Sequence, residues 1–341
     1  MNLVFSSLIP HPSSVFNDLG GNLKLIIQIP CFNEAGALPV TLKELPREVP
    51  GFSSVEWLVI NDGSTDNTEE VARKNGVDHI VSFTNNQGLA RAFLAGLDAA
   101  VKLGADIIVN TDADNQYMAA DIPALVAPIL AGRADVVIGA RPINGIESFS
   151  LAKKMLQKVG SFVVRFVSKT NIPDAPSGFR AMTREAAMRF NVFNDYTYTL
   201  ETIIQAGQKN IAITSVSVRV NSSLRPSRLV KSVPSYIRKS LVTIIRIFIV
   251  YKAFRFFMSV GLTLLCLGLI GGIRYMYFYF TGDSAGHVQS LILASILLGV
   301  GFQTMLTAFL ADLLAVNRRL MEDVQYRVKK MEFSKESDRP S

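Results

Sequence analysis

The sequence predicts an α/β protein with a Rossmann-like domain, followed by an interfacial helix and two transmembrane helices. Three observations support this fold class. Between residues 21 and 220, short apolar runs alternate with helical patterns, which is typical of a mostly parallel sheet with helices on both faces. After residue 256, two long uncharged runs follow each other. Between these parts, polar residues recur every three to four positions of an apolar segment, as in a helix at a membrane surface.

Six strands and six helices are predicted in the first 220 residues. The apolar runs predict strands at Leu25–Ile29, Val55–Ile60, His79–Phe83, Ile107–Asn110, Val136–Gly139 and Ile211–Val220. The helical patterns predict helices at about Ala35–Leu45, Asp66–Asn75, Gly88–Leu103, Ala120–Ala131, Ala152–Ser168 and Leu200–Gly207. Asp66 fits a helix cap that pairs with Glu69, three residues later.

Two apolar runs predict a transmembrane hairpin. Phe256–Ile273 and Val288–Leu310 carry no charged residue, and each is long enough to cross a bilayer of about 30 Å. The link between them holds Asp283 but no Lys or Arg, whereas basic residues precede the first run and follow the second. The positive-inside bias therefore predicts that both termini lie on the cytoplasmic side of the inner membrane. The alternative is a helical hairpin buried in a soluble protein.

The composition shifts predict how the chain is divided. We expect a flexible arm over residues 1–20, the α/β domain over 21–228, amphipathic juxtamembrane helices over 229–255, the hairpin over 256–312 and a basic cytoplasmic tail over 313–341. Within the juxtamembrane part, Ser232–Lys252 carries a narrow polar stripe. A core helix of the α/β domain is the alternative for this segment.

Composition and charge exclude several classes of protein. The net charge is +7, and the basic residues cluster beside the apolar segments, which favours a membrane surface over nucleic acid. Cys31 and Cys266 lie in separate segments, so we expect a reducing compartment without disulfides. The three histidines are scattered, which argues against a His/Cys zinc site. The N-terminus lacks the pattern of a signal peptide.

Asp112 and Asp114 directly follow the apolar run Ile107–Thr111. In open α/β sheets, ligands bind at this carboxyl end of the strands. Two neighbouring carboxylates repel each other unless a cation lies between them, and Mg²⁺ or Mn²⁺ prefers such oxygen ligands. The pair therefore predicts a divalent metal site, with a solvated turn as the alternative.

More polar turns are predicted at the same sheet edge. Residues 30–34, residues 61–66 and Arg141 each follow a predicted strand, and Gln116 lies in the turn of the two aspartates. Several such turns on one edge define a crevice. The dinucleotide fingerprint G-x-G-x-x-G and the phosphate-binding G-x-x-x-x-G-K-[ST] are both missing, which argues against a nicotinamide dehydrogenase and a P-loop NTPase.

Five motifs follow one another in a defined order. They are Ile29-Pro-Cys-Phe-Asn-Glu34, Val59-Ile-Asn-Asp-Gly-Ser-Thr-Asp66, Asn86-Gln-Gly-Leu-Ala-Arg91, Asp112-Ala-Asp-Asn-Gln116 and Ser177-Gly-Phe-Arg180. Together they resemble the motif series of family 2 inverting glycosyltransferases, and within that family the polyprenyl-phosphate (dolichyl-phosphate) sugar transferases. The resemblance covers about residues 24–225, and the paired C-terminal spans resemble bacterial members that carry a membrane hairpin. A Gln-x-x-Arg-Trp motif is missing, which argues against processive polysaccharide synthesis.

The resemblance implies a GT-A fold, the fold of nucleotide-diphospho-sugar transferases, and assigns roles on the donor side. Pro30 and Glu34 would line the nucleotide pocket, and Asp62 would face the base or ribose of a UDP- or GDP-sugar. Asp112 would lie near the donor's sugar or pyrophosphate. The implied ligands of Mg²⁺ or Mn²⁺ are Asp112, Asp114 and Gln116. Simpler roles stay open: Glu34 as a helix cap, and Asp62 and Gln116 as turn residues.

On the acceptor side, the resemblance implies basic residues. Arg141 would meet the acceptor phosphate, and Arg180 would bind phosphate charge of the donor or the acceptor. Surface ion pairs are the alternative for both arginines. Further candidates for the acceptor phosphate are Lys154, Lys158 and Arg165. Arg225 and Arg228, in a basic segment just before the predicted interfacial helix, are candidates from their position, with attraction to anionic lipid headgroups as the alternative.

The resemblance implies an enzyme that moves one sugar from a nucleotide-sugar to polyprenyl phosphate, with metal dependence and inversion. The catalytic residues would be Asp112, Asp114, Arg141 and Arg180. An anionic phosphate oxygen needs positioning rather than a general base. A hydroxyl lipid acceptor, with Glu201 as base, is one alternative, and a non-catalytic membrane scaffold is another. Similarity to hairpin-bearing relatives implies a homo-oligomer such as a tetramer.

Overall fold

The structure is a computed structural model that divides into two compact units. One unit comprises Met1–Arg238 with Gln325–Ser341, and the other comprises Lys239–Val324. The structure describes residues 22–142, 161–162, 164–192, 198–221, 242, 246, 249, 251–282 and 287–337. After Phe333 it describes the backbone alone. The predicted N-terminal arm, most of the predicted interfacial helix, and the link residue Asp283 lie outside the described residues.

The first unit is built on a seven-stranded sheet of described residues with the order β3-β2-β1-β4-β6-β5-β7. The strands are β1 Lys24–Cys31, β2 Ser54–Asn61, β3 His79–Ser82, β4 Ile107–Asn110, β5 Val136–Ala140, β6 Arg180–Thr183 and β7 Ile213–Ser217. Strands β1, β2, β3 and β4 are parallel, and so are β5 and β7. The predicted mostly parallel α/β sheet is confirmed.

Helices connect and cover these strands. They are α1 Leu38–Glu44, α2 Thr68–Lys74, α3 Leu89–Lys102, α4 Ile122–Leu130, α5 Arg184–Arg189 and α6 Thr199–Gln208. Two long helices follow later in the chain, α7 Ala253–Phe280 and α8 Val288–Ser337. The chain also forms helix over residues 164–168, at the end of a predicted helix that otherwise lies largely outside the described residues. The six predicted strands all occur, although the last is shorter than predicted.

Strand β6 and helix α5 were not predicted. Strand β6 is antiparallel to both of its neighbours. Its Arg180 is paired with Asn110 of β4 on one side and with Ile138 of β5 on the other. All four of its residues are buried. The strand is short and begins with an arginine, so its sequence lacks the apolar run that marks the other central strands.

The predicted capping pair of α2 forms on the Asp66 side only. Asn67 is the residue before the helix, and its side chain makes no capping hydrogen bond. Asp66 instead accepts a hydrogen bond from the Thr68 backbone N–H at 3.0 Å. Glu69 accepts hydrogen bonds from Ser82 and Arg73, each at 2.7 Å. Glu69 is thus held by Ser82 of β3 and by Arg73 of its own helix rather than as the second member of a capping pair.

The carboxyl ends of β1, β2 and β4 meet at one edge of the sheet. Cys31 is paired with Asn61, and Gln28 with Asn110, so the turns that follow these strands are neighbours. Nearly every residue of β1 and β4 is buried, and the apolar side chains among them form the core. A rigid, buried sheet thus positions the polar turns.

The second unit contains α7 and most of α8, which are long and apolar enough to cross a membrane by length and composition. Their backbones approach closely at small residues. A Cβ on Gly261 would lie 2.9 Å from the carbonyl oxygen of Gly301, and a Cβ on Gly268 would lie 3.1 Å from that of Ala294. Gly261 and Gly268 are seven residues apart, as are Ala294 and Gly301, so both helices present small residues at the same interval. Helix α8 continues to Ser337, through most of the predicted tail.

Candidate functional site

Asp112 and Asp114 lie on a tight turn that follows β4. The Oδ1 atom of Asp114 accepts a hydrogen bond from the Gln116 backbone N–H at 3.2 Å, and Asn115 has a positive φ of 54°. This local bond holds Asp114 and Gln116 in one turn, two residues after Asp112. Gln116, the predicted third metal ligand, therefore lies in the same turn as both carboxylates.

Burial and the charge of Asp114 both disfavour ionisation of Asp112. Burial and the charge of Asp114 raise the pKa of Asp112 to about 7, although Arg141 and Arg180 oppose the shift. A carboxylate whose charge is disfavoured in this way is stabilised by a nearby cation. Among the described residues, no group of three or more His, Cys, Asp or Glu side chains could hold a metal. A metal here would rely on the two aspartates, an amide oxygen and oxygens of the substrate.

The Ser177-Gly-Phe-Arg180 motif closes against Asp112 through the backbone of Gly178. A Cβ on Gly178 would lie 2.9 Å from Oδ1 of Asp112. Asn110 Nδ2 donates to the Gly178 carbonyl at 2.8 Å, and the Gly178 N–H donates to the Tyr117 hydroxyl at 3.0 Å. Both peptide groups of the glycine are therefore fixed, and its missing side chain leaves room for the carboxylate.

Asn110 belongs to a buried polar chain that sequence reasoning missed. Gln28 Nε2 donates to Asn110 Oδ1 at 2.8 Å, and Asn110 Nδ2 lies 3.0 Å from the Tyr198 hydroxyl. Gln28 and Asn110 are polar residues within otherwise apolar strands, and they are paired across the sheet. A polar residue inside each apolar run is the sequence signal that could have revealed them. These hydrogen bonds make the chain rigid, although the buried Gln28 Oε1 atom has no hydrogen-bond partner among the described residues.

Arg180 is fully buried, so the alternative of a surface ion pair is wrong for it. Its guanidinium donates to the Thr202 hydroxyl and the Ser177 carbonyl and lies over the Tyr198 ring at 5.1 Å. Burial lowers the pKa of Arg180, while nearby groups that include Asp112 oppose the shift. This places Arg180 behind the aspartate turn, and its role in binding phosphate stays a prediction.

Arg141 forms a nearly buried pair with Asp174. Its backbone N–H, Nε and Nη2 donate to the two carboxylate oxygens at 3.2, 2.7 and 3.0 Å. Asp174 is fully buried, and the Arg141 side chain is 9% exposed, so the alternative of a surface ion pair is wrong for Arg141 as well. Nη1 makes no hydrogen bond to the described residues. The pair fixes one edge of the guanidinium and leaves other donors for a ligand.

The turns after β1 and β2 are joined to each other. Asn33 donates its backbone N–H to the Ser64 hydroxyl at 3.0 Å, and its side-chain oxygen accepts from the Thr65 N–H at 2.8 Å. The Glu34 N–H donates to the Thr68 hydroxyl at 2.9 Å. Pro30 is buried at the end of β1, while Glu34 is half-buried beside this junction. The two predicted donor-side motifs therefore form one continuous surface.

Asp62 is buried, and its carboxylate binds the loop that precedes α3. Gln87 and Gly88 donate backbone N–H bonds to it at 2.7 and 2.9 Å, and Asn86 Nδ2 donates at 3.2 Å. Both oxygens therefore have protein partners. The structure links the second and third motifs through this residue, and the predicted contact with a base or ribose stays a prediction.

Gly63 lies between Asp62 and Ser64, and its replacement by alanine is expected to disrupt this region. Its φ is +64°, and a Cβ would lie 2.3 Å from the backbone carbon of Asn85. Because the clash is with backbone, we expect Gly63→Ala to lower the free energy of unfolding by about 4 kcal/mol or more. Thermal unfolding of the first unit checks this. A melting temperature equal to that of Gly36→Ala, where a Cβ meets nothing within 4 Å, would contradict it.

The remaining predicted residues divide into two groups. Arg165 is half-buried in the helical segment 164–168, and Glu201 is buried in the first turn of α6. The other predicted acceptor residues lie outside the described part of the chain; these are Lys154, Lys158, Arg225 and Arg228.

Comparisons with known proteins identify the family. Residues 26–190 match the model of Glycosyl transferase family 2.

An uncharacterized protein of Methanocaldococcus jannaschii is 30% identical over 206 residues, which cover 58% of this chain and 81% of that protein. The undecaprenyl-phosphate mannosyltransferase of Micrococcus luteus is 30% identical over 165 residues, which cover 47% of this chain and 66% of that protein. The polyprenol monophosphomannose synthase of Mycolicibacterium smegmatis is 28% identical over 176 residues, which cover 50% of this chain and 65% of that protein. The match thus spans just under two thirds of these two bacterial enzymes.

A solved structure shares the fold. Glucosyl-3-phosphoglycerate synthase from Mycobacterium tuberculosis superposes with a TM-score of 0.53 at 19% identity, covering 68% of this chain and 82% of that one. At this identity the likeness concerns the fold alone, and it agrees with the predicted GT-A architecture. The chain therefore belongs to glycosyl transferase family 2 and is a glycosyltransferase.

Proposed function

We propose that the chain transfers a single sugar from a nucleotide-sugar donor to polyprenyl phosphate at the cytoplasmic face of a membrane. The observation that carries the proposal is the aspartate turn, whose Asp112 interacts electrostatically with the nearly buried Arg141. The names of the Micrococcus and Mycolicibacterium relatives support a prenyl phosphate as acceptor and mannose as one candidate sugar. The apolar helices α7 and α8 support membrane association.

The site residues fit a divalent metal. Asp112, Asp114 and Gln116 offer the oxygen donors that Mg²⁺ and Mn²⁺ prefer, and the raised pKa of Asp112 indicates a position where a cation is favourable. The solved synthase from Mycobacterium tuberculosis was crystallised with Mn²⁺ and UDP. When bound, such a metal would neutralise charge on the leaving pyrophosphate. The three residues would hold it against the donor.

The acceptor is already a nucleophile in this proposal. A phosphate oxygen is anionic at neutral pH, so the protein needs to orient it rather than deprotonate it. Arg141, held by Asp174, would bind that phosphate through its remaining guanidinium donors. Attack from the face opposite the leaving group inverts the anomeric centre.

Topology and assembly complete the proposal. Lys252 and Arg255 lie beside the start of α7, and Arg318 and Arg319 follow the apolar part of α8. This charge distribution supports cytoplasmic placement of both ends of the hairpin. We also propose that the chain forms a homo-oligomer.

The test is a transfer assay with the full-length chain in membranes. UDP- and GDP-sugars are each offered with undecaprenyl phosphate, dolichyl phosphate, unphosphorylated polyprenol or diacylglycerol, in Mg²⁺, Mn²⁺ or a chelator. We expect labelled sugar only in the prenyl-phosphate lipids and only with metal. Transfer to a hydroxyl lipid, lost in Glu201→Gln, would instead support the alternative with Glu201 as base. Lack of transfer from every donor would contradict the proposal.

A further inference from the structure

Tyr117 directly follows the aspartate turn, residues 112–116, and it has no predicted role. The residue is 4% exposed. Its backbone is paired with Val220, after β7, in an antiparallel bridge, and the Asn221 N–H donates to the Gln116 carbonyl at 2.9 Å. Because the backbone is held on both of these residues, the Tyr117 side chain has a fixed position relative to the aspartate turn.

The hydroxyl of Tyr117 holds the glycine that closes against Asp112. The buried Gly178 N–H donates to this hydroxyl at 3.0 Å, while the Gly178 carbonyl accepts from Asn110 Nδ2 at 2.8 Å. A Cβ on Gly178 would lie only 2.9 Å from Oδ1 of Asp112. A buried N–H that loses its acceptor is costly, so the backbone at Gly178 is expected to shift when the hydroxyl is removed.

The ring of Tyr117 is connected to Arg141 by two routes. The Arg141 guanidinium lies 5.9 Å from the ring centre, within the range of a cation–π contact. The Phe179 ring stacks on the Tyr117 ring, with 5.1 Å between the centroids and 17° between the planes. Phe179 lies against Gly139 of β5: the Gly139 N–H donates to the Phe179 carbonyl at 2.8 Å, and a Cβ on Gly139 would lie 2.9 Å from the Phe179 ring. Arg141 is the residue that follows this strand.

We infer that Tyr117 is a positioning residue that keeps the aspartate turn and Arg141 in one alignment. The inference rests on the proposed function, in which the turn binds the donor and its metal while Arg141 binds the acceptor phosphate. Reacting groups must meet at about 3 Å with the correct orientation, and a displacement of about 1 Å can lower a rate about 100-fold. A residue that contacts both sides therefore serves turnover more than it serves the binding of either ligand.

The substitution Tyr117→Phe tests this role, because it removes the hydroxyl and keeps the ring. With the full-length chain in membranes, we expect kcat for sugar transfer to fall about 10- to 100-fold, while the KM values for donor and acceptor stay within about threefold. An unchanged kcat would overturn the inference. A rise in either KM with kcat unchanged would assign Tyr117 to ligand binding and would also overturn it.

Trp57→Phe is the matched control. Trp57 is 6% exposed, its Nε1 donates to the Pro46 carbonyl at 3.2 Å, and the Arg47 guanidinium lies 3.4 Å from its ring. This substitution also removes one hydrogen-bonding group from a buried aromatic residue beside an arginine, but on β2. We expect a lower melting temperature with kcat within about twofold of wild type. An equal fall of kcat in the two variants would show that Tyr117 acts through stability alone.

Hydrogen exchange measured by mass spectrometry tests the alignment without any substrate. The Arg141 N–H donates to Asp174 at 3.2 Å, and the Gly178 N–H donates to Tyr117, so the two amides report on the two sides. In metal-free Tyr117→Phe we expect about tenfold faster exchange at both amides, with wild-type rates in the paired strands β1 and β2. Faster exchange at Gly178 alone, or the same pattern in Trp57→Phe, would overturn the inference. Lack of transfer by the wild-type protein would contradict the proposed function and leaves this measurement unaffected.

Discussion

Replacing Asp112 by asparagine is expected to lower sugar transfer by about 100- to 1,000-fold, the usual cost of removing a group that stabilises developing charge. The asparagine keeps the shape of the side chain but removes the charge that would hold a divalent cation beside the donor pyrophosphate. Turnover at saturating donor, measured over a range of Mn²⁺ concentrations, checks this. Glu70→Gln is the matched control, because Glu70 is an exposed carboxylate of α2 that pairs with Lys74.

The same substitution is expected to stabilise the metal-free protein. The pKa of Asp112 rises from 3.8 to about 7 in the folded chain, so ionisation of this group destabilises the fold as the pH increases through that interval. Removing the charge should therefore raise the melting temperature at pH 8 in the presence of a chelator. Loss of activity together with loss of stability would indicate a structural role instead, and unchanged activity would contradict the metal site.

Replacing Asp174 by asparagine is expected to lower kcat/KM for the lipid acceptor by about 100-fold, because a misplaced guanidinium loses its alignment with the phosphate. The KM for the nucleotide-sugar should stay within about twofold, because Asp174 holds Arg141, which is assigned to the acceptor side. Weakening a nearly buried ion pair should also cost about 3 kcal/mol of unfolding free energy. Acceptor and donor titrations on the same preparation measure both constants.

The chain supplies a matched control for this pair. Arg219 donates its backbone N–H, Nε and Nη2 to Asp121, the same three donors that Arg141 offers to Asp174. The Arg219 side chain is 63% exposed, and we expect Asp121→Asn to leave acceptor kinetics unchanged. Equal acceptor defects in the two variants would contradict a specific role for Asp174.

Chemical rescue separates positioning from simple stability. Arg141→Ala should regain part of its acceptor activity when guanidinium is added at a concentration below that which unfolds the protein. The double variant Arg141→Ala with Asp174→Asn should regain none, because the carboxylate that would hold the added cation is missing. Rescue of both variants to the same extent would show that Asp174 does not orient the guanidinium.

The sequence allowed much of the fold to be predicted because the relevant signals are local. Strand β4 is a short apolar run that ends two residues before Asp112, so the strand and the carboxylates that follow it could be predicted together. The turns that follow β1 and β2 were predicted in the same way. The parallel order of these strands then places the turns at one edge.

The parts that were missed depend on contacts between distant residues. Asp174 is a single acidic residue in a proline-containing loop, and only the folded chain brings it to Arg141, 33 positions earlier. Arg180 resembled a surface residue because a charged side chain rarely lies inside a sheet, yet β4 and β5 enclose it. The binding of Asp62 to the loop at residues 86–88 likewise follows from strand order rather than from local sequence.

The position of β6 has a consequence for the order in which the protein is made. This strand lies between β4 and β5, although it leaves the ribosome about 40 residues after β5. Until Thr183 has emerged, the edge of β4 that faces away from β1 is open, and β5 has no partner because β7 is made later still. Such open edges invite pairing with other chains. The closure of Gly178 over Asp112 must wait for the same event. A nascent chain shorter than this should therefore bind no nucleotide-sugar and should depend on chaperones to stay soluble.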